Sequence, residues 1–292
     1  MSVFRGSGVA LVTPFKDGKV DYEAFGKLLD WHVSEGTDAI VVAGTSGEAS
    51  TLIDEEQLET IAFAVGRIAK RLPVVAGVGS NETVHAIYLG KEAERLGADA
   101  LLHVTPYYNK ANRRGLIEHF KAAAAAVHIP VILYSVAGRT NMNIAPDVCA
   151  ELAKIDNIVG IKEASGNIAQ VAEIARATQG DFDIYSGNDD MIVPLLALGG
   201  KGVISVVANV APKDTHDMVQ KFLDGDIAGA RKLQLDMLGL IDAMFYEVNP
   251  IPVKAALWLM GKIEYSYRLP LCEMEESNLE KLRKEMQAYG LI

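Results

Sequence analysis

Ile158-Val159-Gly160-Ile161-Lys162-Glu163-Ala164-Ser165-Gly166 reads as a buried β-strand that ends on a lysine and opens into a glycine turn. Ile158, Val159 and Ile161 are β-branched and apolar, as strands prefer, and Ser165-Gly166 breaks the run. A lysine at the last position of such a strand is costly. Its ammonium must reach water, a carboxylate or a substrate, or give up its proton. In a poorly solvated pocket the pKa falls and the amine becomes a nucleophile toward a carbonyl. Two plainer readings compete: the side chain snorkels out of the strand end, or it pairs with Glu163.

Outward from this stretch the same unit repeats. Apolar runs at 8–12, 39–43, 73–78, 100–104 and 130–134 precede it, and 182–185 and 202–206 follow it. Each ends in turn residues, such as Thr13-Pro14, Gly44-Thr45-Ser46-Gly47 or Thr105-Pro106. Runs continuous in apolar character suit strands buried on both faces. Helical segments alternate with them at 22–35, 54–70, 82–96, 114–127, 146–153, 168–178, 191–198 and 212–223. In the first, Phe25, Leu28, Leu29 and Val33 share a face, with Asp21 as N-cap and Gly36 as stop. Strand–helix alternation over roughly 225 residues predicts an α/β chain folded as a parallel (β/α)8 TIM barrel, residues 1–224. A doubly wound open sheet competes, but Thr13-Pro14-Phe15 is not the glycine-rich first turn that such a sheet uses for nucleotides. From 225 to 292 the strand pattern stops. Segments 227–246, 252–260 and 277–289 read as a C-terminal helical appendage, broken at Asn249-Pro250-Ile251-Pro252 and Leu269-Pro270.

The 292 residues carry 38 acidic against 28 basic side chains, a net charge of −10. That balance argues against a nucleic-acid partner. The longest apolar runs, such as Ala122 to Val127, fall far short of a membrane span. Cys149 and Cys272 are too few for a disulfide framework. The first residues lack a signal-peptide core. A cytoplasmic protein with no membrane partner is expected.

In a (β/α)8 barrel the site lies at the C-terminal strand ends. That rule gathers Thr45 and Ser46, Tyr107 and Tyr108, Tyr134 with Arg139 just beyond, Lys162 and Gly187. The six histidines show no metal-ligand spacing, so no metal is expected. Ser46 and Ser186 lack the G-x-S-x-G elbow. Gly77-Val78-Gly79 reads as a tight turn rather than a phosphate loop. A lysine amine that attacks a ketone and loses water gives an iminium, which acidifies the neighbouring carbon. The resulting enamine attacks an aldehyde, and each stage moves protons. Tyr134, Thr45 and Tyr108 can supply a hydroxyl relay. Gly44 and Gly47 let backbone N–H groups approach a carboxylate, and Arg139 has the planar fork for a second one. Taken singly, Tyr134 also reads as a core tyrosine and Arg139 as half of a surface ion pair.

Three motifs together resemble the dihydrodipicolinate synthase (4-hydroxy-tetrahydrodipicolinate synthase) family of pyruvate-dependent class I aldolases. They are Gly44-Thr45-Ser46-Gly47-Glu48, Tyr134 with Gly138-Arg139-Thr140, and Gly160 to Gly166. Thr105-Pro106-Tyr107-Tyr108 and Gly202-Val203-Ile204-Ser205 add to a resemblance that runs nearly end to end. Arg139 and Thr45 favour the synthase branch over N-acetylneuraminate lyases, which resemble Gly-Ser-Thr-Gly-Glu and lack that arginine.

The resemblance implies condensation of pyruvate with L-aspartate 4-semialdehyde in lysine and diaminopimelate biosynthesis, through a lysine–pyruvate imine and without metal or organic cofactor. It implies Lys162 as the Schiff-base residue and Tyr134 as proton donor and acceptor. Thr45 and Tyr108 would complete the relay, Tyr108 from a neighbouring subunit. Ser46 and Ile204 would contact pyruvate, Gly187 would line the pocket, and Arg139 would hold the aldehyde's carboxylate. A homotetramer, a dimer of dimers, is implied as well. Ser46 stands where much of the family has threonine, and Ser135-Val136-Ala137 replaces a more usual Asn-Val-Pro. A sister aldolase acting on another aldehyde and a ligand-binding barrel without turnover are the alternatives.

Ser50, Asn81, His85 and Tyr107 fall where lysine-sensitive members hold an effector amino acid. Gln57 and His85 stand where those members tend to carry histidine and glutamate. The expectation is weak or absent inhibition by L-lysine. Ordinary dimer-interface residues are the plainer reading of the same positions.

Overall fold

The structure is a computed structural model and describes residues 2–292. Eight parallel strands close into a barrel. They are β1 (Gly6–Ala10), β2 (Ala39–Val42), β3 (Val74–Gly77), β4 (Ala100–Val104), β5 (Val131–Ser135), β6 (Ile158–Glu163), β7 (Asp183–Ser186) and β8 (Gly202–Ser205). β1 pairs with both β8 and β2, so no edge is left open. The intervening helices are α1 (Tyr22–Ser34), α2 (Asp54–Ile68), α3 (Thr83–Arg95), α4 (Arg113–Ala125), α5 (Pro146–Leu152), α6 (Ile168–Thr178), α7 (Ile192–Ala197) and α8 (Pro212–Leu223).

Alternation along each strand sorts the core into two layers. Val41, Val75, Leu102, Ile132, Tyr134 and Ile204 fill the barrel interior, which Phe4 and Tyr185 plug with stacked rings 4.4 Å apart. Ile40, Val42, Leu101, Val131, Leu133 and Ile161 face the helix layer. Side chains fix several helix starts: Asp21 accepts from Ala24 N, Asn112 from Gly115 N, and Asn167 from Ala169 N and Gln170 N.

The C-terminal region forms α9 (Ile227–Asp236), α10 (Leu238–Ala243), α11 (Ile251–Leu259) and α12 (Glu276–Tyr289). The stretch read as one helix over 227–246 is thus two. It breaks at Met237, a fully buried residue two before Gly239, whose backbone freedom weakens helix continuity. One feature escaped the sequence reading: a hairpin pairing Phe15–Lys16 with Lys19–Val20. Its turn, Asp17-Gly18, has φ of 50° and 74°, the doubly positive geometry that Asp-Gly favours.

Among the described residues no helix is long and apolar enough to cross a membrane. No group of three or more His, Cys, Asp or Glu side chains among them could hold a metal ion.

Candidate active site

Lys162 and Tyr134 are register partners on β6 and β5, so their side chains enter the barrel side by side. A β-bulge creates that pairing. Val131 pairs with Ile158, but Ile132 pairs with Gly160, which leaves Val159 extra. Without the shift Tyr134 would face Ile161, and Lys162 would lie beside Ser135 on the outer face. As folded, Lys162 is 4% exposed and its Nζ lies 4.5 Å from the Tyr134 ring centroid. The snorkelling reading is overturned by that burial.

The pairing with Glu163 is overturned too. Glu163 points the other way, into the helix layer, where its Oε1 accepts from Gln170 Nε2 at 2.8 Å and Ser165 N at 3.2 Å. Burial pushes the Glu163 carboxyl above the usual carboxylate range, and these hydrogen bonds oppose the shift.

Gly187 sits where Lys162 needs room. A Cβ there would lie 3.2 Å from Lys162 Cε, 2.6 Å from Ala164 Cβ and 3.0 Å from the Glu163 carbonyl. Ile204 on β8 is fully buried in the same interior cluster as Tyr134. Asp189, after β7, is a fully buried carboxylate whose Oδ2 accepts from Val206 N at 3.0 Å and Val207 N at 2.8 Å. Burial raises its pKa, against those N–H groups and the charge of Lys162.

A cavity of about 480 Å³ opens above this core. Thr45, Tyr134 and Arg139 line it. The ion-pair reading of Arg139 is overturned: it donates instead from Nη2 to the Asn249 carbonyl at 2.8 Å and meets no carboxylate among the described residues. Its fork is therefore open to an anion. Ser46 is buried and accepts from Asn249 Nδ2 at 3.0 Å. Asn249 thus touches two site residues, a role sequence reading missed. Its only signal was the Asn-Pro-Ile-Pro break.

Tyr108 is not part of this assembly within one chain. It is 92% exposed, has φ of 68°, and does not line the cavity. Of the effector candidates, Ser50, His85 and Tyr107 line the same cavity as Tyr134. Asn81 does not line it, and its carbonyl accepts from Asn109 Nδ2 at 2.9 Å. His85 bridges two neighbours, with Nε2 3.0 Å from Asp54 Oδ1 and Nδ1 3.1 Å from Ser80 Oγ. Asp54, another lining residue, was not singled out by sequence. Gln57 also lines the cavity and donates to the Gly77 carbonyl at 2.8 Å. Gly77 itself is needed for close approach, since a Cβ there would lie 2.2 Å from the Ala43 carbonyl oxygen.

A buried amine beside a tyrosine, under a cavity with a free guanidinium, can form an imine and orient an anionic second substrate. The Dihydrodipicolinate synthetase family matches residues 3–289. The chain belongs to this family. A 4-hydroxy-tetrahydrodipicolinate synthase from Caldicellulosiruptor bescii is 58% identical over 292 residues, covering 100% of this chain and 99% of the relative. The dihydrodipicolinate synthase from Aquifex aeolicus superposes with a TM-score of 0.97 at 46% identity, covering 99% of each chain. A chloride-inhibited dihydrodipicolinate synthase from Acinetobacter baumannii, complexed with pyruvate, gives a TM-score of 0.97 at 44% identity, covering 100% of each chain. As a dihydrodipicolinate synthetase family member the chain is an enzyme, a lyase of the class I aldolase type in lysine and diaminopimelate biosynthesis.

Proposed function

We propose that the protein condenses pyruvate with L-aspartate 4-semialdehyde to give 4-hydroxy-tetrahydrodipicolinate. The observation that carries the reading is the Lys162 amine, 4% exposed and 4.5 Å from the Tyr134 ring. The amine attacks the pyruvate ketone and water leaves, giving an iminium. Loss of a proton from the neighbouring methyl carbon gives an enamine, whose carbon attacks the aldehyde. The aldehyde oxygen takes a proton to become the 4-hydroxyl, and the semialdehyde's own amine adds to the iminium carbon and expels the Lys162 amine, closing the ring as a cyclic imine. Tyr134 and Thr45 pass protons between these stages. Ser46 and Ile204 border the pyruvate end, Gly187 leaves space for the lysine stem, and Arg139 holds the carboxylate of the semialdehyde. The covalent imine takes the place of a resident metal or organic cofactor.

A homotetramer, built as a dimer of dimers, fits the position of Tyr108. Its ring is exposed and does not line its own chain's cavity, and Ile53, Val84 and Tyr107 are further large side chains left exposed. Tyr108 of a second copy would complete the relay. Ser50, His85 and Tyr107 offer a weak or silent lysine site, with Asn81 outside the cavity they line. A cytoplasmic setting accords with the amino-acid biosynthetic role of the family.

Borohydride reduction in the presence of pyruvate tests the reading. A stable adduct on the peptide that holds Lys162 is expected, and consumption of aspartate semialdehyde should exceed that of other aldehydes offered with pyruvate. An adduct elsewhere, or preference for another aldehyde, overturns it.

A further inference from the structure

Glu48 and Lys254 form an ion pair sealed inside the protein. Nζ lies 2.5 Å from Oε1, and each side chain is 1% exposed. The Nζ also lies 4.3 Å from the Phe15 ring centroid and 5.0 Å from that of Tyr267. Glu48 ends the Gly44-Thr45-Ser46-Gly47 turn in a left-handed conformation, φ 54°. Lys254 comes from α11, 206 residues further along the chain.

Such a pair is a poor way to stabilise a fold. Both charges lose their water, and a well-packed apolar pair of similar size is often as stable or more so. What it supplies is direction: the ammonium is satisfied only when the carboxylate lies at one point. The segment it grips needs such a constraint, because residues 43–51 lie beyond the end of β2 and carry no strand pairing. Other contacts hold the same segment. Thr13 Oγ1 donates to the Gly47 carbonyl at 2.7 Å, Asn249 Nδ2 to Ser46 Oγ at 3.0 Å, and Arg268 Nη1 to the Thr51 carbonyl at 3.0 Å. Only the Glu48–Lys254 contact is both charged and fully enclosed.

We infer that Glu48 and Lys254 are positioning residues for the reaction: their buried pair locks the Thr45–Ser46 turn onto α11 and so keeps Thr45 in place in the cavity that Tyr134 also lines. The inference rests on the proposed assignment of Thr45 and Tyr134 to the proton relay. Glu48 forms part of the cavity wall and Lys254 does not, and neither side chain hydrogen-bonds to Lys162 or Tyr134 among the described residues. Both act through the turn, which makes the effect one of geometry rather than of charge at the imine.

The test compares wild type with Glu48→Met, Lys254→Met and the double variant. Turnover, borohydride trapping of pyruvate and amide hydrogen exchange of peptides covering 44–51 are read for each. The single variants leave one buried charge unpaired and should melt earlier. The double variant should regain most of the lost stability. Its kcat should stay roughly 10- to 100-fold low, as for a misplaced catalytic group. Its KM for pyruvate should change little, and exchange in 44–51 should quicken while the strand peptides keep their protection. Wild-type kcat in a folded double variant, or unchanged exchange in 44–51, overturns the inference, because a purely structural pair would restore both. If the double variant does not fold, Lys254→Arg decides. It keeps the charge but replaces a point donor by a fork, and full turnover there would also overturn the inference. A wild-type protein that traps no pyruvate on Lys162 defeats the proposed function instead, and the exchange measurement still reads the pair.

Discussion

Lys162 lies across from Tyr134 on the adjacent strand, its nitrogen 4.5 Å from the centre of the ring. The electron-rich face of the ring favours a cation at that point, whether ammonium or iminium. In the proposed reaction the hydroxyl is a separate resource, for moving protons. Tyr134→Phe separates the two. The ring stays, so trapping of pyruvate on Lys162 should persist. The relay goes, so kcat should fall by roughly 10²- to 10⁴-fold. Steady-state turnover together with borohydride trapping checks both halves. A phenylalanine variant within tenfold of wild type would remove Tyr134 from the relay.

Arg139 has no acidic partner among the described residues and donates only to the Asn249 carbonyl, at 2.8 Å. Arg139→Ala should therefore damage use of the semialdehyde more than use of pyruvate. A loss of about 2–5 kcal/mol in transition-state stabilisation is expected, read as kcat/KM for the aldehyde. Imine formation should survive. Unchanged aldehyde kinetics would show that the second carboxylate is held elsewhere.

His103 gives a pH prediction away from the site. It is fully buried on β4, and neither ring nitrogen has a partner among the described residues. Burial pushes its pKa from 6.5 down to about 3. Above pH 6.5 the ring is neutral in folded and unfolded chains alike and pH has no effect through it. Between pH 6.5 and about 3 the unfolded chain takes up the proton and the folded one does not, so stability falls as pH falls. One such group contributes a slope of up to about 1.4 kcal/mol per pH unit. His103→Leu should flatten the fall in stability by that much, measured from urea midpoints between pH 7 and pH 4. An unaltered slope would mean that His103 takes its proton without unfolding.

L-Lysine should inhibit weakly or not at all. An effector in the cavity wing lined by Ser50 and Tyr107 would seek a carboxylate for its side-chain ammonium, and Asp54 is already engaged by His85 at 3.0 Å. Loss of a charge-assisted contact costs about 1.5–3 kcal/mol, or roughly ten- to a hundredfold in affinity. Titration of L-lysine at pH 8, where most histidine is neutral, checks this. Cooperative inhibition at sub-millimolar lysine would show that Asp54 leaves His85 to meet the ligand, and Asp54→Asn should then abolish it.

The barrel was legible because its strands are short apolar runs stopped by turn residues, and its first helix has a cap in Asp21. The candidate site was legible at Thr45, Tyr134 and Lys162 because those residues stand near or just beyond the C-terminal ends of strands. The facing of Lys162 on Tyr134 was not. It depends on one extra residue at Val159, and a bulge leaves no mark in an apolar run. Contacts between distant residues were hidden for another reason. Ser46 meets Asn249 and Glu48 meets Lys254 across 203 and 206 residues, and no local periodicity connects them. Lys254 is the one charged residue on the otherwise apolar α11. Tyr108 was picked out by its motif, yet one chain leaves it outside the cavity, because a motif carries no information about which copy it serves.

The late origin of the anchors on the 44–51 segment sets when the enzyme can first work. The ribosome makes Thr45 early and Lys254 206 residues after Glu48. At about 5–20 residues per second, the gap lasts roughly 10–40 s. For all that time the emerging chain holds the turn and later the reactive lysine, but nothing to set one against the other. Competence waits until Lys254 has been made, and until then the growing chain carries the proposed nucleophile without the means to use it.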